Sequence, residues 1–193
     1  MNSWGIIPVR ISTVAVDALT DSNPAAWIAL LLVTSSLLRG MFLHSSFSQI
    51  LGSLLFLWVF GKRVEQVLGH KRFLVFYLLC GVVTGIVQVL AEPTRAAPLI
   101  GANGAIAGVI GAYLLLFPKA KIDTILPLVI IFIPIELPAL FYLFWWFVQQ
   151  AAYGIGSLDV SDGTNQASIA YWAHGIGLVF GAFFGRRLQR HPR

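Results

Sequence analysis

Gly101-Ala102-Asn103-Gly104-Ala105-Ile106-Ala107-Gly108 is the stretch that decides how this chain folds. It is built almost entirely of small residues and runs directly into an apolar segment ending near Phe117. In a water-soluble helix each interior glycine costs about 1 kcal/mol relative to alanine. In lipid, glycines four apart let one helix backbone approach another closely. Gly104 and Gly108 have that spacing, and Gly111 with Ala112 continues the face. Gly81 and Gly85 repeat it, and Gly177, Gly181 and Gly185 repeat it twice in succession. Three segments built this way predict a compact bundle of closely packed helices.

Composition points the same way. Of 193 residues, 58% are hydrophobic and 11% are Asp, Glu, Lys or Arg, and mean hydropathy is +0.81. Soluble domains carry about 25% charged residues. A soluble globule, a disordered chain and a fibre are excluded. The single cysteine, Cys80, excludes an intrachain disulfide framework and a cysteine metal cluster. The net charge of +5 comes from short basic clusters between apolar runs, so the partner it implies is a lipid bilayer and not nucleic acid. No phosphate-binding loop, nucleotide motif or zinc-like His/Cys spacing is present, and no cofactor or metal is expected.

A spanning helix needs about 20 mostly apolar residues. Five stretches qualify: 46–67, 73–91, 102–117, 125–151 and 168–188. The fourth contains Pro127, Pro134 and Pro138, which predict a kinked or late-starting helix. A shorter run, 25–38, ends at Arg39 and suits an interfacial or partly inserted segment, or a poorly formed sixth span. Lys62, Arg63, Lys71 and Arg72 follow the first span, Lys119 and Lys121 the third, and Arg186, Arg187, Arg190 and Arg193 the fifth. These are ten of the thirteen Lys and Arg, an alternation that predicts a cytoplasmic C-terminus and an external Met1.

His174 falls in the first turns of the last span, at the same membrane face as the start of the third. It shares a helical face with Gly177 and Gly181, so it projects from the closely packed side. An ionisable residue within a span is a candidate functional residue. A neutral histidine bonded to a backbone carbonyl is the alternative.

At this point the sequence resembles the rhomboid family of intramembrane serine proteases. The resemblance rests on Met41-Phe42-Leu43-His44, Trp58-Val59-Phe60-Gly61, Glu65, Leu68-Gly69, Arg72-Phe73, the 101–108 stretch, Phe117-Pro118, Glu136-Leu137-Pro138 and Trp172-Ala173-His174. It implies an all-α, polytopic helix bundle with about five transmembrane helices here, the family's first helix being absent. Residues 1–45 are then an external segment with interfacial or partly inserted helices. Residues 46–188 form the rhomboid-like transmembrane domain, and 189–193 a basic cytoplasmic tail.

The family's chemistry is acyl transfer by a Ser–His dyad with oxyanion donors. The resemblance puts His174 at the base position and Asn103 at the serine position. It puts Gln49 and Ser53 where the family places an oxyanion-assisting histidine and asparagine. An amide nitrogen, delocalised into its carbonyl, is a very poor nucleophile, so His174 has no hydroxyl beside it to activate; Ser45, Ser46, Ser48 and Ser168 are expected near the same face, but none in a glycine-rich helix start opposite His174. Gln49 donates from its amide and Ser53 only weakly. Gly104, Gly108, Gly177, Gly181 and Gly185 are expected to pack helices, and Asn103 to cap the third span or tie it to His174. The expected function is non-proteolytic binding of transmembrane segments of client proteins. The alternatives are an active rhomboid-type endopeptidase and, less well supported by two buried ionisable residues, Glu136 and His174, a transporter. The expected location is a bacterial-type inner or plasma membrane.

Overall fold

The computed structural model describes residues 4–20, 24–128, 131–141, 144, 148 and 166–189. Two helices, α1 (Pro8–Thr20) and α2 (Pro24–Thr34), each open on a proline, whose missing N–H is one the first helical turn does not use. A short α3 (Ser36–Gly40) follows. α1 buries Ile11 and Ala18, whereas α2 buries none of its residues. Trp27, Ile28, Leu31 and Leu32 project from α2 fully apolar and exposed, as a helix does when its surroundings are lipid.

α4 (Phe47–Phe56) is capped by Ser46, whose hydroxyl accepts the Gln49 N–H at 3.2 Å. It passes without a break into a π-helical turn, Leu57–Gly61, and then into α5 (Lys62–Leu68). Gly69, at φ +82°, ends this run in a conformation that favours glycine, and α6 (His70–Ala91) begins beyond it. α7 (Asn103–Leu116) and α8 (Gln166–Leu188) follow, and between them the described residues 139–141, 144 and 148 are helical as well.

One expectation is corrected here. The described part of 125–151 does not begin as a helix. Strands β1 (Lys121–Leu128) and β2 (Ile131–Pro138) pair antiparallel, from Leu128 opposite Ile131 to Lys121 opposite Pro138. Three prolines remove helical donors, and the intervening β-branched residues favour an extended chain. A two-stranded ribbon has free edges that tolerate proline. Most of 142–151 lies outside the described residues. The fold is therefore of the all-α, largely helical class expected, with one two-stranded ribbon set into it.

The span count also differs. Among the described residues one helix, α6, is long and apolar enough to cross a membrane, against about five read from the sequence. The first expected span is divided into segments of 10, 5 and 7 residues, though these are continuous. The third is a 14-residue apolar helix.

Small residues set the packing of α6, α7 and α8 in three layers. In the first, Thr84 of α6 lies against Gly104, and a Cβ on Gly177 would stand 2.7 Å from the Gly104 carbonyl oxygen. In the second, Cys80 lies against Gly108, whose backbone a Cβ on Gly181 would overlap. In the third, Ala112 and Phe76 lie against Gly185. Matching residues rise together in α7 and α8 and run oppositely in α6. α7 and α8 are therefore parallel, and α6 is antiparallel to both. Residues Ala105 to Tyr113 of α7 are all buried, so this helix is the centre of the bundle. Beyond the third layer, Phe60 meets the edge of the Tyr113 ring at 5.1 Å, and Phe76 stacks on Phe184.

Candidate functional site

At the first layer and the turn beyond it lies a cavity of about 320 Å³. Each helix contributes the residue that its spacing puts there. Gln88, four residues beyond Thr84, comes from α6. Asn103 comes from the first position of α7, and His174, three residues before Gly177, from α8. Gln49 enters from α4 with Ser45, which precedes that helix. Thus Gln49, Asn103 and His174 line one cavity, while Ser53, a turn further along α4, is not part of its wall.

The orientation of Gln49 follows from its donors. The Ser45 N–H and hydroxyl both donate to Gln49 Oε1, at 2.7 and 3.0 Å. The backbone donor requires an acceptor, so the carbonyl faces Ser45 and the amide NH2 turns to the cavity. There Nε2 lies 2.8 Å from where a Cβ on Gly101 would be. Gly101 has φ +115°, and its N–H donates to the Gly40 carbonyl at 2.9 Å. Glycine is needed at 101 on both counts, conformation and space.

The loop before α7 closes the other wall. Ile6 and Leu99 exchange backbone hydrogen bonds of 3.0 and 2.7 Å, joining the N-terminal segment to the loop. Arg95 lines the cavity with its Nη1 on Glu92 Oε2 at 2.7 Å, and its carbonyl accepts the Val9 N–H. His174 is 5% exposed, and the Thr84 hydroxyl below it donates within α6 to the Cys80 and Gly81 carbonyls, both at 2.9 Å. The cavity thus carries amide donors, a guanidinium and an imidazole over an apolar floor. That set can hold the carbonyl groups of a peptide. At the start of α7 it offers an amide rather than a hydroxyl. Among the described residues no group of three or more His, Cys, Asp or Glu is placed to hold a metal.

The sequence does not place Gln88 and Arg95 in the site, and it offers Ser45 only as one of four serines near the same face. Gln88 had a signal, because Cys80, Thr84 and Gln88 recur every four residues along an apolar helix. Arg95 had none, since its place depends on the loop folding back onto Ile6.

Comparison with known proteins gives a consistent result. The presenilin-associated rhomboid-like protein of Mus musculus mitochondria is 30% identical over 116 residues, 59% of this chain and 28% of that protein. The mitochondrial rhomboid protein 1 of Saccharomyces cerevisiae is 32% identical over 91 residues, 45% of this chain and 26% of that protein. The rhomboid protease GluP of Bacillus subtilis is 37% identical over 78 residues, 40% of this chain and 15% of that protein. The chain therefore spans well under half the length of these relatives. The Rhomboid domain profile matches residues 32–191, which takes in α4 to α8 and every wall of the cavity that those helices build. With that match, this integral membrane chain belongs to the rhomboid family.

Proposed function

We propose that this rhomboid-family protein does not hydrolyse peptide bonds and instead binds transmembrane segments of client proteins. The observation that carries this reading is Asn103 at the first position of α7, in the wall of the cavity that His174 also lines. The family mechanism needs a hydroxyl there, deprotonated by the histidine. An asparagine amide accepts and donates hydrogen bonds but does not attack a carbonyl. Gln49, Gln88 and Asn103 leave a polar notch able to satisfy backbone groups of a helix that is poorly stable in lipid. On this reading Gln49 keeps the donor role of the oxyanion position, and Ser53 does not take part. The proposal includes about five spans within 46–188, an external 1–45 segment and a cytoplasmic C-terminus.

The test is capture. A transmembrane client carrying a photo-crosslinker should couple to the intact protein, and Gln49→Leu with Asn103→Leu should reduce coupling at least about tenfold, two lost hydrogen-bonding groups being worth about 1 kcal/mol or more each. Unchanged coupling in that variant contradicts the binding reading.

The second reading, an active endopeptidase, is favoured by Ser45, a hydroxyl in the same cavity wall as His174, and by the names of relatives such as the rhomboid protease GluP. Its hydroxyl is engaged with Gln49 Oε1. A serine nucleophile at 45 predicts that Ser45→Ala abolishes any hydrolysis, whereas the binding reading predicts no hydrolysis to abolish.

A further inference from the structure

A second, smaller recess shares no lining residue with the cavity of His174 and is walled in part by the N-terminal segment. It measures about 180 Å³ and is formed by Gly5, Leu32 and Val33 with three polar residues, Arg10 of α1 and Ser36 and Arg39 of α3. Among the described residues no carboxylate pairs with either arginine. Ser36 is 5% exposed, and its Oγ has no hydrogen-bond partner. A buried hydroxyl left this way is a standing cost that a ligand oxygen would remove. Arg39 is already held in place: its guanidinium lies 5.4 Å from the centre of the Trp4 ring, and its Nη2 donates to Ser35 Oγ at 3.1 Å. A cation fixed on an aromatic face loses little freedom when it takes up a ligand.

We propose that Arg10, Ser36 and Arg39 form a binding site for a phosphate group. Two guanidiniums fit a tetrahedral oxyanion, since each offers a planar fork of N–H donors, and the serine at the base supplies a neutral donor. A recess of this size holds one phosphate and not a nucleotide. The surroundings point to a lipid headgroup as the source. Leu32 lines the recess and belongs to the exposed apolar side of α2, with Ile28 and Leu31 at 60% and 72% exposure. An acyl chain lies naturally along these residues when the phosphate is seated. Trp4, 57% exposed under Arg39, is the aromatic residue that a headgroup region favours. A soluble phosphate has the same head chemistry but makes no use of that apolar stripe.

The experiment uses the purified full chain in a non-ionic detergent, with two probes. Dioleoylphosphatidylglycerol retention is counted by native mass spectrometry, and protection by inorganic phosphate is read as a thermal shift. The wild type is expected to retain one phosphatidylglycerol, and the Arg10→Gln/Arg39→Gln double variant to lose affinity at least about tenfold, as expected for charge-assisted hydrogen bonds. Arg10→Gln alone changes an exposed side chain and keeps the measurement interpretable should Arg39→Gln disturb the Trp4 contact. Lipid retention that depends on the arginines, without phosphate protection, identifies a headgroup site. Protection by phosphate that depends on them, without lipid retention, identifies a soluble phosphate site. Binding of both probes that is lost in the variants supports the shared chemistry. Equal behaviour of wild type and both variants toward both probes overturns the proposal.

Discussion

On the proposed binding reading, Asn103 at the first position of α7 is the residue that sets this chain apart from a Ser–His protease. If the cavity keeps the family geometry, Asn103→Ser supplies a hydroxyl in the wall shared with His174. A fluorophosphonate probe should then label the variant weakly and leave the unsubstituted protein unlabelled. On the proposed reading labelling should be slow, because Gln49 lines the cavity but Ser53 does not, and lacking one oxyanion donor costs about 3 kcal/mol, roughly a hundredfold in rate. Strong labelling of the unsubstituted protein contradicts this account. Gly101 carries a second prediction at this scale. Gly101→Ala forces a side chain into φ +115° and toward Gln49 Nε2, so it should lower stability by about 1–3 kcal/mol, measured by thermal unfolding in detergent. An unchanged midpoint would show that the loop before α7 is not held as described. The residues of the family motif were legible in the sequence, because each carries its own chemistry. Arg95 was not, because a loop's return path leaves no periodic trace, and Ser45 was legible only as one of four serines near the same face.

Among the elements, the α7–α8 contact decides how the cavity is held. Gly181 and Gly175 lie on the same helix, so the gain in helix propensity from Gly→Ala is similar for both. Their surroundings differ. A Cβ on Gly181 overlaps the Gly108 backbone, while a Cβ on Gly175 meets nothing within 4 Å. Gly181→Ala should therefore destabilise by about 1–3 kcal/mol through overpacking, and Gly175→Ala should be neutral or slightly stabilising. Equal unfolding midpoints for the two variants in detergent would contradict the layered packing. The four-residue glycine spacing made these close approaches legible in advance, although it did not say which helices would meet. The ribbon of β1 and β2 was misread. An apolar run of strand and helix formers looks alike by hydropathy; its three prolines predict a kinked or late-starting helix, and the described residues are helical only from Ala139, beyond the ribbon.

For the molecule as a whole, parallel α7 and α8 carry a topological consequence. The chain leaving α7 at Leu116 has to return to the opposite end of the bundle before α8 starts at Gln166. With the basic clusters at 62–72 and 119–121, this predicts that reporters fused after Lys71, Arg95, Lys121, Asp162 and Arg193 alternate inside, outside, inside, outside, inside. An external reporter at both Lys71 and Arg193 contradicts that orientation. The same parallel arrangement brings the start of α7 and the first turns of α8 to one end, so that Asn103 and His174 share a cavity. The central claim is that this cavity binds without cleaving. Its most direct test is the unsubstituted protein in proteoliposomes with a transmembrane rhomboid substrate, run beside His174→Ala and read by product formation. The account predicts no cleavage above the His174→Ala control, whereas cleavage that disappears in that variant would show that the cavity holds a working nucleophile.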